Sequence, residues 1–179
     1  MNAVLHAGIA ERGRELALAG AHVESLQHYR EAMRYAVQAA APEVFLRHYT
    51  QCALESLERL GAWDEVLATC GRAREHYTAH PPASDVARKD LGSFLEREGV
   101  VLLRQGRRDE ALERLNQAVR AARPARLPLA ETLAGWLRAG LQVTADRLSR
   151  ELDRHRYWSV RAGTVRAHLA VPLPPIPVP

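Results

Sequence analysis

Three glycines in this chain share one setting. Gly20, Gly61 and Gly106 each follow a leucine by four residues (Leu16, Leu57, Leu102) and precede a glutamate by four (Glu24, Glu65, Glu110). An aliphatic side chain stands six residues after each (Leu26, Leu67, Leu112), and an alanine twelve after (Ala32, Ala73, Ala118). Glycine ends a helix because it accepts the left-handed backbone conformation without steric cost. Helical patterning resumes two or three residues later, and a connection that short makes the two helices antiparallel neighbours. The pattern therefore predicts an αα-hairpin used three times. Gly13, Leu54 and Gly99, seven residues before the corners, complete the plan. Gly13, Gly99 and the three alanines let backbones approach, and the leucines fill the seam. Asp64 and Asp109 fall in the first turn of a second helix, where the helix dipole favours an anion. Trp63 opens one of these helices and can fold over the hairpin end.

Composition agrees with helices. Leu, Ala, Arg and Glu dominate, all good helix formers, and no Val/Ile/Thr runs call for a sheet. An all-α fold is expected. Hydrophobic spacing places helices at about 3–19, 22–40, 42–60, 63–79, 84–105 and 108–122. Pro42 opens the third at its first turn, and "PPASD" from residue 81 is a loop. After the turn "ARPARLP", Leu129, Leu133, Trp136, Leu137, Leu141, Leu148 and Leu152 recur at helical spacing. That predicts one further helix from about 128 to 156, covering the exposed face of the last hairpin. Residues 159–171 alternate weakly and read as extended. The ending "PLPPIPVP" cannot be helical.

The net charge of +4 is unevenly spread. Residues 1–119 carry 15 basic and 17 acidic side chains, whereas residues 120–179 carry 10 and 4. A basic C-terminal third could attract an acidic partner or nucleic acid. Yet 24 of the 25 basic residues are Arg, a compositional bias that weakens any reading of individual arginines as binders. Cys52 and Cys70 make neither a disulfide framework nor a metal-finger spacing. The N-terminal stretch lacks the basic and apolar regions of a secretory signal, and no apolar run is long enough to span a bilayer. A soluble cytoplasmic protein is the expectation.

The three units resemble the tetratricopeptide repeat (TPR) family. Its small–large pattern is matched by Gly13, Leu16, Gly20, Tyr29 and Ala32. It is matched again by Leu57, Gly61, Trp63 and Ala73, and a third time by Gly99, Leu102, Gly106, Ala111, Leu115 and Ala118. The third unit, with "GRRDEALERLNQAV", is the best match. The corner glycines lie 41 and 45 residues apart, longer than the family's spacing of about 34, so the extra residues lengthen helices or loops. The resemblance implies a right-handed superhelical solenoid. Residues 1–124 would hold three hairpins (about 3–40, 42–79 and 84–122), residues 125–157 a capping helix, and residues 158–179 an extended basic and Pro-rich tail.

Catalytic chemistry is not evident. His76 and His80 have metal-ligand spacing on a helix, but Pro81 and Pro82 follow and no third ligand is in sight. The resemblance puts Cys70 in a packing slot, and Cys52 on the helix before it also reads as inert. No phosphate-cradling loop, nucleophile elbow or zinc-protease motif occurs. The chain is expected not to be an enzyme and to need no cofactor or metal.

Binding is what remains. In TPR proteins the first helix of each hairpin lines a concave groove. The resemblance carries groove positions to Arg14 with Ala10 and Ala17, to His48, Gln51, Glu55 and Arg59, and to Glu96, Arg97 and Arg104 with Ser93 and Val100. Such arginines can grip a carboxylate bidentately. The clamp by which one TPR subset binds chaperone C-termini is not preserved, since its positions here are Ala10, Arg14, Cys52, Ser93 and Arg97. The expected function is a non-catalytic protein–protein interaction module: an adaptor, assembly factor or dedicated chaperone holding a partner peptide or helix in the groove. A regulatory or nucleic-acid-associated module using the basic C-terminal third is the alternative. It rests on Arg residues mixed with Tyr157 and Trp158, with no recognised nucleic-acid motif, and those two aromatics more simply pack the end of the last helix. A third reading is a self-assembling solenoid whose groove is filled by its own tail. Val171, Leu173, Ile176 and Val178 are the side chains expected to dock, in cis or onto another subunit.

Overall fold

The computed structural model describes residues 2–174 and, from residue 5 onward, their side chains. The three expected corners are helix ends of one design. At Gly20, Gly61 and Gly106 φ is +79°, +72° and +74°. Each glycine N–H bonds the carbonyl three residues back, and the next N–H reaches five back, as in Gly20 to Ala17 and Ala21 to Leu16. This paired closure satisfies carbonyls that the last helical turn leaves open.

Among the described residues eight α-helices result: α1 (Asn2–Leu18), α2 (His22–Gln38), α3 (Glu43–Arg59), α4 (Trp63–Ala79), α5 (Asp85–Arg104), α6 (Arg108–Ala121), α7 (Pro128–Arg138) and α8 (Ala145–Arg154). Two 3₁₀ turns, Ala162–Thr164 and Ala167–Leu169, follow. Among the described residues there is no strand. The first six helices agree with the sequence reading to within one or two residues. Pro42 stands just outside α3 as its N-cap, and Ser84 caps α5 by accepting from the Ala87 N–H.

Residues 128–156, expected as one helix, form two. The chain turns at Gly140 with φ +72° and the same pair of hydrogen bonds, Gly140 to Leu137 and Leu141 to Trp136. Thr144 then caps α8 through its hydroxyl, which accepts from the Arg147 N–H. Leucines on both sides of the corner kept a helical period across it and concealed the break. Two more corners of this design carry no glycine: Ala40 (φ +47°) after α2 and Arg156 (φ +52°) after α8.

The described residues fall into two units. Residues 2–62 with 158–174 form the first, and residues 63–157 the second. In the first, α2 packs against both α1 and α3. Tyr29 on α2 lies over Gly13 on α1, where an added Cβ would stand 2.8 Å from the ring. Ser25 donates to the Gly13 carbonyl at 2.8 Å, and Ile9, Ala10, Ala32, Ala36 and Tyr49 close one end of the core. In the second, α5 packs against α4 and α6, and α6 against α7. Gly99 does for Leu115 what Gly13 does for Tyr29: a Cβ there would meet Leu115 Cγ at 2.6 Å. Gly13 and Gly99, read as close-approach points, serve as such, and Ala32 and Ala118 are buried, whereas Ala73 is only half-buried. Leu148 and Leu152 of α8 are buried, and Arg147 lies 3.8 Å from the centre of the Trp136 ring.

Candidate segment-binding strip on α1 and α3

In the first unit α1 presents Gly8, Glu11, Arg14 and Ala17 at three-residue intervals; each step turns about 60° back around the helix, so the four wind along a slanting line over its surface. Glu55 and Arg59 are one turn apart on α3. These side chains hold the C-terminal tail, which runs antiparallel to α1.

The tail enters at Trp158, whose ring lies 3.7 Å from the Arg59 guanidinium. Cation and ring attract through the ring's negative face. Next, the backbone N–H groups of Ser159 and Val160 both donate to Glu55 Oε2, at 2.7 and 2.9 Å. Glu55 is only 3% exposed, and these charge-assisted bonds help offset the desolvation of its carboxylate. Val160 is itself buried. A cavity of about 280 Å³ opens beside it, lined by Ala17, Leu18, Gly20, His22, Glu55 and Arg59. Burial and the nearby Arg59 cation hold the His22 imidazole below its ordinary pKa, favouring its neutral form.

Further along, Arg14 ties three groups together. Its Nη1 donates to Glu11 Oε2 at 2.9 Å, and its Nη2 donates to the Thr164 carbonyl at 2.7 Å and to Thr164 Oγ1 at 2.6 Å. The other oxygen of Glu11 accepts from the Arg166 N–H. The Val171 N–H then donates to the Gly8 carbonyl at 2.9 Å. Val171 sits so close that a Cβ on residue 8 would lie 2.5 Å from Val171 Cγ2 and 3.0 Å from the Leu169 carbonyl. Gly8 is therefore a seat for the tail. Leu173 ends the run against the Ile9–Tyr49 cluster.

Of the groove residues read from the sequence, the structure brings Arg14, Glu55 and Arg59 together on this strip. His48, two turns before Glu55 on α3, lies near the same strip: burial first, then the Arg14 cation, holds its imidazole below the ordinary pKa while Glu11 pulls the other way. Its Nε2 stands 3.7 Å from Cys52 Sγ, and Gln51 is half-buried on the same helix. Glu96, Arg97 and Arg104 belong to the second unit. There Glu96 Oε2 accepts from the Ala130 N–H at 2.9 Å, capping the start of α7. Burial pushes its carboxyl up to about 7, against the pull of that hydrogen bond and of Arg97 and Lys89. Arg97 is 3% exposed with its guanidinium 4.8 Å from the Tyr157 ring centre, so it is a packed residue rather than an open groove contact. Arg104 is exposed and faces the Trp63 ring at 5.5 Å.

Among the tail residues, Val171 and Leu173 dock as described, while Ile176 and Val178 lie outside the described residues. Gly8, Glu11, Trp158 and Thr164 escaped the sequence reading of the site. A glycine inside an otherwise regular helix was the one available signal for Gly8, because it costs about 1 kcal/mol relative to alanine there unless something needs the space.

Cys52 and Cys70 are fully buried. His76 and His80 stack ring on ring, with centroids 4.9 Å apart. Among the described residues no group of three or more His, Cys, Asp and Glu side chains converges as a metal site. No helix among them is long and apolar enough to cross a membrane. Compared with known proteins, the chain matches no family model, no curated protein and no solved structure.

Proposed function

We propose that this chain is a non-catalytic protein–protein interaction module of TPR-like design, and that the strip on α1 and α3 takes a segment of a partner chain. One observation carries the reading: the strip already behaves as a peptide site. Glu55 and Glu11 accept main-chain N–H groups, Arg14 donates to a main-chain carbonyl, and Arg59 meets an aromatic ring. Main-chain recognition by fixed side chains is tolerant of sequence, and neighbouring side-chain seats supply the discrimination. Because helices hold these groups in place, little ordering of the site is needed when a segment docks.

The test is a photo-crosslinking residue at Leu18, which is 46% exposed and lines the cavity beside Val160. Full-length protein carrying it is irradiated in native-host cells, with the same residue at Val37, exposed on α2, as the control. A discrete heterologous protein joined from position 18 and not from 37 is the expected result. Equal labelling from both positions, or none from 18, contradicts the reading.

A second reading follows from the same contacts: a strip that holds this chain's tail in cis can hold a neighbour's in trans, making a self-assembled form. Cross-links from Leu18 to a second copy alone would favour it.

A further inference from the structure

Polar contacts fix the tail to the strip at a few points, the second 3₁₀ turn packs against α1, and between these points the tail takes a longer path than the helix beneath it. From the level of Ala17 to that of Gly8, α1 rises about 13.5 Å. Over the same interval the tail spends residues 160–171, which could reach about 36 Å if extended. The slack is folded into the two 3₁₀ turns, none of whose residues is buried. Between Trp158 and Pro174 the only buried residue is Val160. Polar anchors dominate the rest, and all of them could be exchanged for water. Segments with few buried apolar contacts open at a small fraction of the free energy of global unfolding.

The anchors also define what the strip selects. Two carboxylates, Glu11 and Glu55, and two arginines, Arg14 and Arg59, meet the bound segment, the carboxylates taking main-chain N–H groups and the arginines a main-chain carbonyl and an aromatic ring. Resting on the reading of this strip as the binding site, we propose that residues 158–174 are a built-in competitor for it. The partner segment they compete with is extended and is held mainly through its backbone. An aromatic residue leads it, to lie over Arg59. Two consecutive N–H groups follow for Glu55, and an aliphatic side chain lies downstream for the seat at Gly8. Without the two turns, such a segment crosses from Ala17 to Gly8 in about four or five extended residues. It therefore replaces the tail with a shorter and straighter chain.

The probe is a fluorescent synthetic peptide of residues 158–174, added in trans to two full-length proteins and followed by anisotropy. One is the wild type; the other carries Val160→Asp and Val171→Asp, which detach the tail while leaving α1 and α3 untouched. At least tenfold tighter binding to the detached-tail protein is expected, and adding Glu55→Gln to it should weaken that binding. Equal affinity for both proteins, or no binding to either, overturns the proposal. Should the detached-tail protein fail to fold, amide exchange on the wild type decides. The Ser159, Val160 and Val171 amides are expected to open at least a hundredfold more often than those of Tyr29 and Leu54, and equal protection overturns the proposal. These outcomes are separable from the Leu18 cross-link: a partner joined there while the peptide ignores both proteins leaves the interaction module standing and removes the competitor.

Discussion

Gly8→Ala separates the stability of α1 from the seating of the tail. Alanine in a helix interior is favoured over glycine by about 0.8–1.0 kcal/mol, so α1 itself gains. The new Cβ would lie 2.5 Å from Val171 Cγ2 and 3.0 Å from the Leu169 carbonyl, closer than real contacts allow, so residues 169–171 must move away. Moving them breaks the 2.9 Å bond from the Val171 N–H to the Gly8 carbonyl, worth about 0.5–1.5 kcal/mol net. Gain and loss nearly cancel. Global stability should therefore change by less than about 1 kcal/mol, or a Tm shift within about 4 °C for a chain of this size. Locally, about 1 kcal/mol less protection makes the Val171 amide exchange about fivefold faster. Gly99→Ala is the contrast. Its Cβ meets Leu115 Cγ at 2.6 Å inside the α5–α6 seam, and overpacking a core costs about 1–3 kcal/mol. That variant should lose stability and leave tail exchange alone. Thermal melts and amide exchange on both variants check the reasoning. A Gly8→Ala protein that melts as early as Gly99→Ala while keeping wild-type exchange at Val171 would refute it.

Other outcomes follow from the same geometry. Ala40→Gly should raise stability by about 0.5–1 kcal/mol in denaturant titration, because Ala40 holds φ +47°, where an L-residue is strained by about 1–2 kcal/mol and glycine is not, less glycine's larger unfolded entropy. Glu96 titrates near 7 in the folded chain against 4.5 ordinarily, so the folded state binds its proton more tightly. Its contribution is intact below about pH 4.5 and is lost as pH rises through 7. Glu96→Gln keeps an acceptor for the Ala130 N–H and should be more stable than wild type at pH 8 by about 1–3 kcal/mol, with the difference vanishing near pH 5. His6 and His22 lie on the other side of the balance. Burial lowers both, and Arg59 lowers His22 further. The unfolded chain then takes up protons first, and stability falls as pH drops below 6.5, a limb that melts of Glu96→Gln should expose.

Much of the fold was legible because its corners use a residue with a physical signature. Gly20, Gly61 and Gly106 announce helix ends, and Gly13 and Gly99 announce close approaches. Gly140 was missed because leucines on either side of it keep a helical period. Ala40 and Arg156 could not be read at all, since nothing in an alanine or an arginine advertises a left-handed backbone. The strip was half legible. Arg14, Glu55 and Arg59 came from the positions that the repeat resemblance assigns to a groove. Their occupant was harder to read, because Glu55, Glu11 and Arg14 bind mostly main-chain atoms, which carry no residue type. Arg97 was placed with them by the same resemblance, which does not say that Tyr157 covers it.

The most direct measurement is a competition. The full-length protein with the photo-crosslinking residue at Leu18 is irradiated in host lysate while unlabelled peptide of residues 158–174 is titrated in. If the strip on α1 and α3 is where a partner segment docks, the peptide abolishes the heterologous cross-link in proportion to its occupancy. A cross-link that persists undiminished at saturating peptide would put the partner elsewhere and contradict the account.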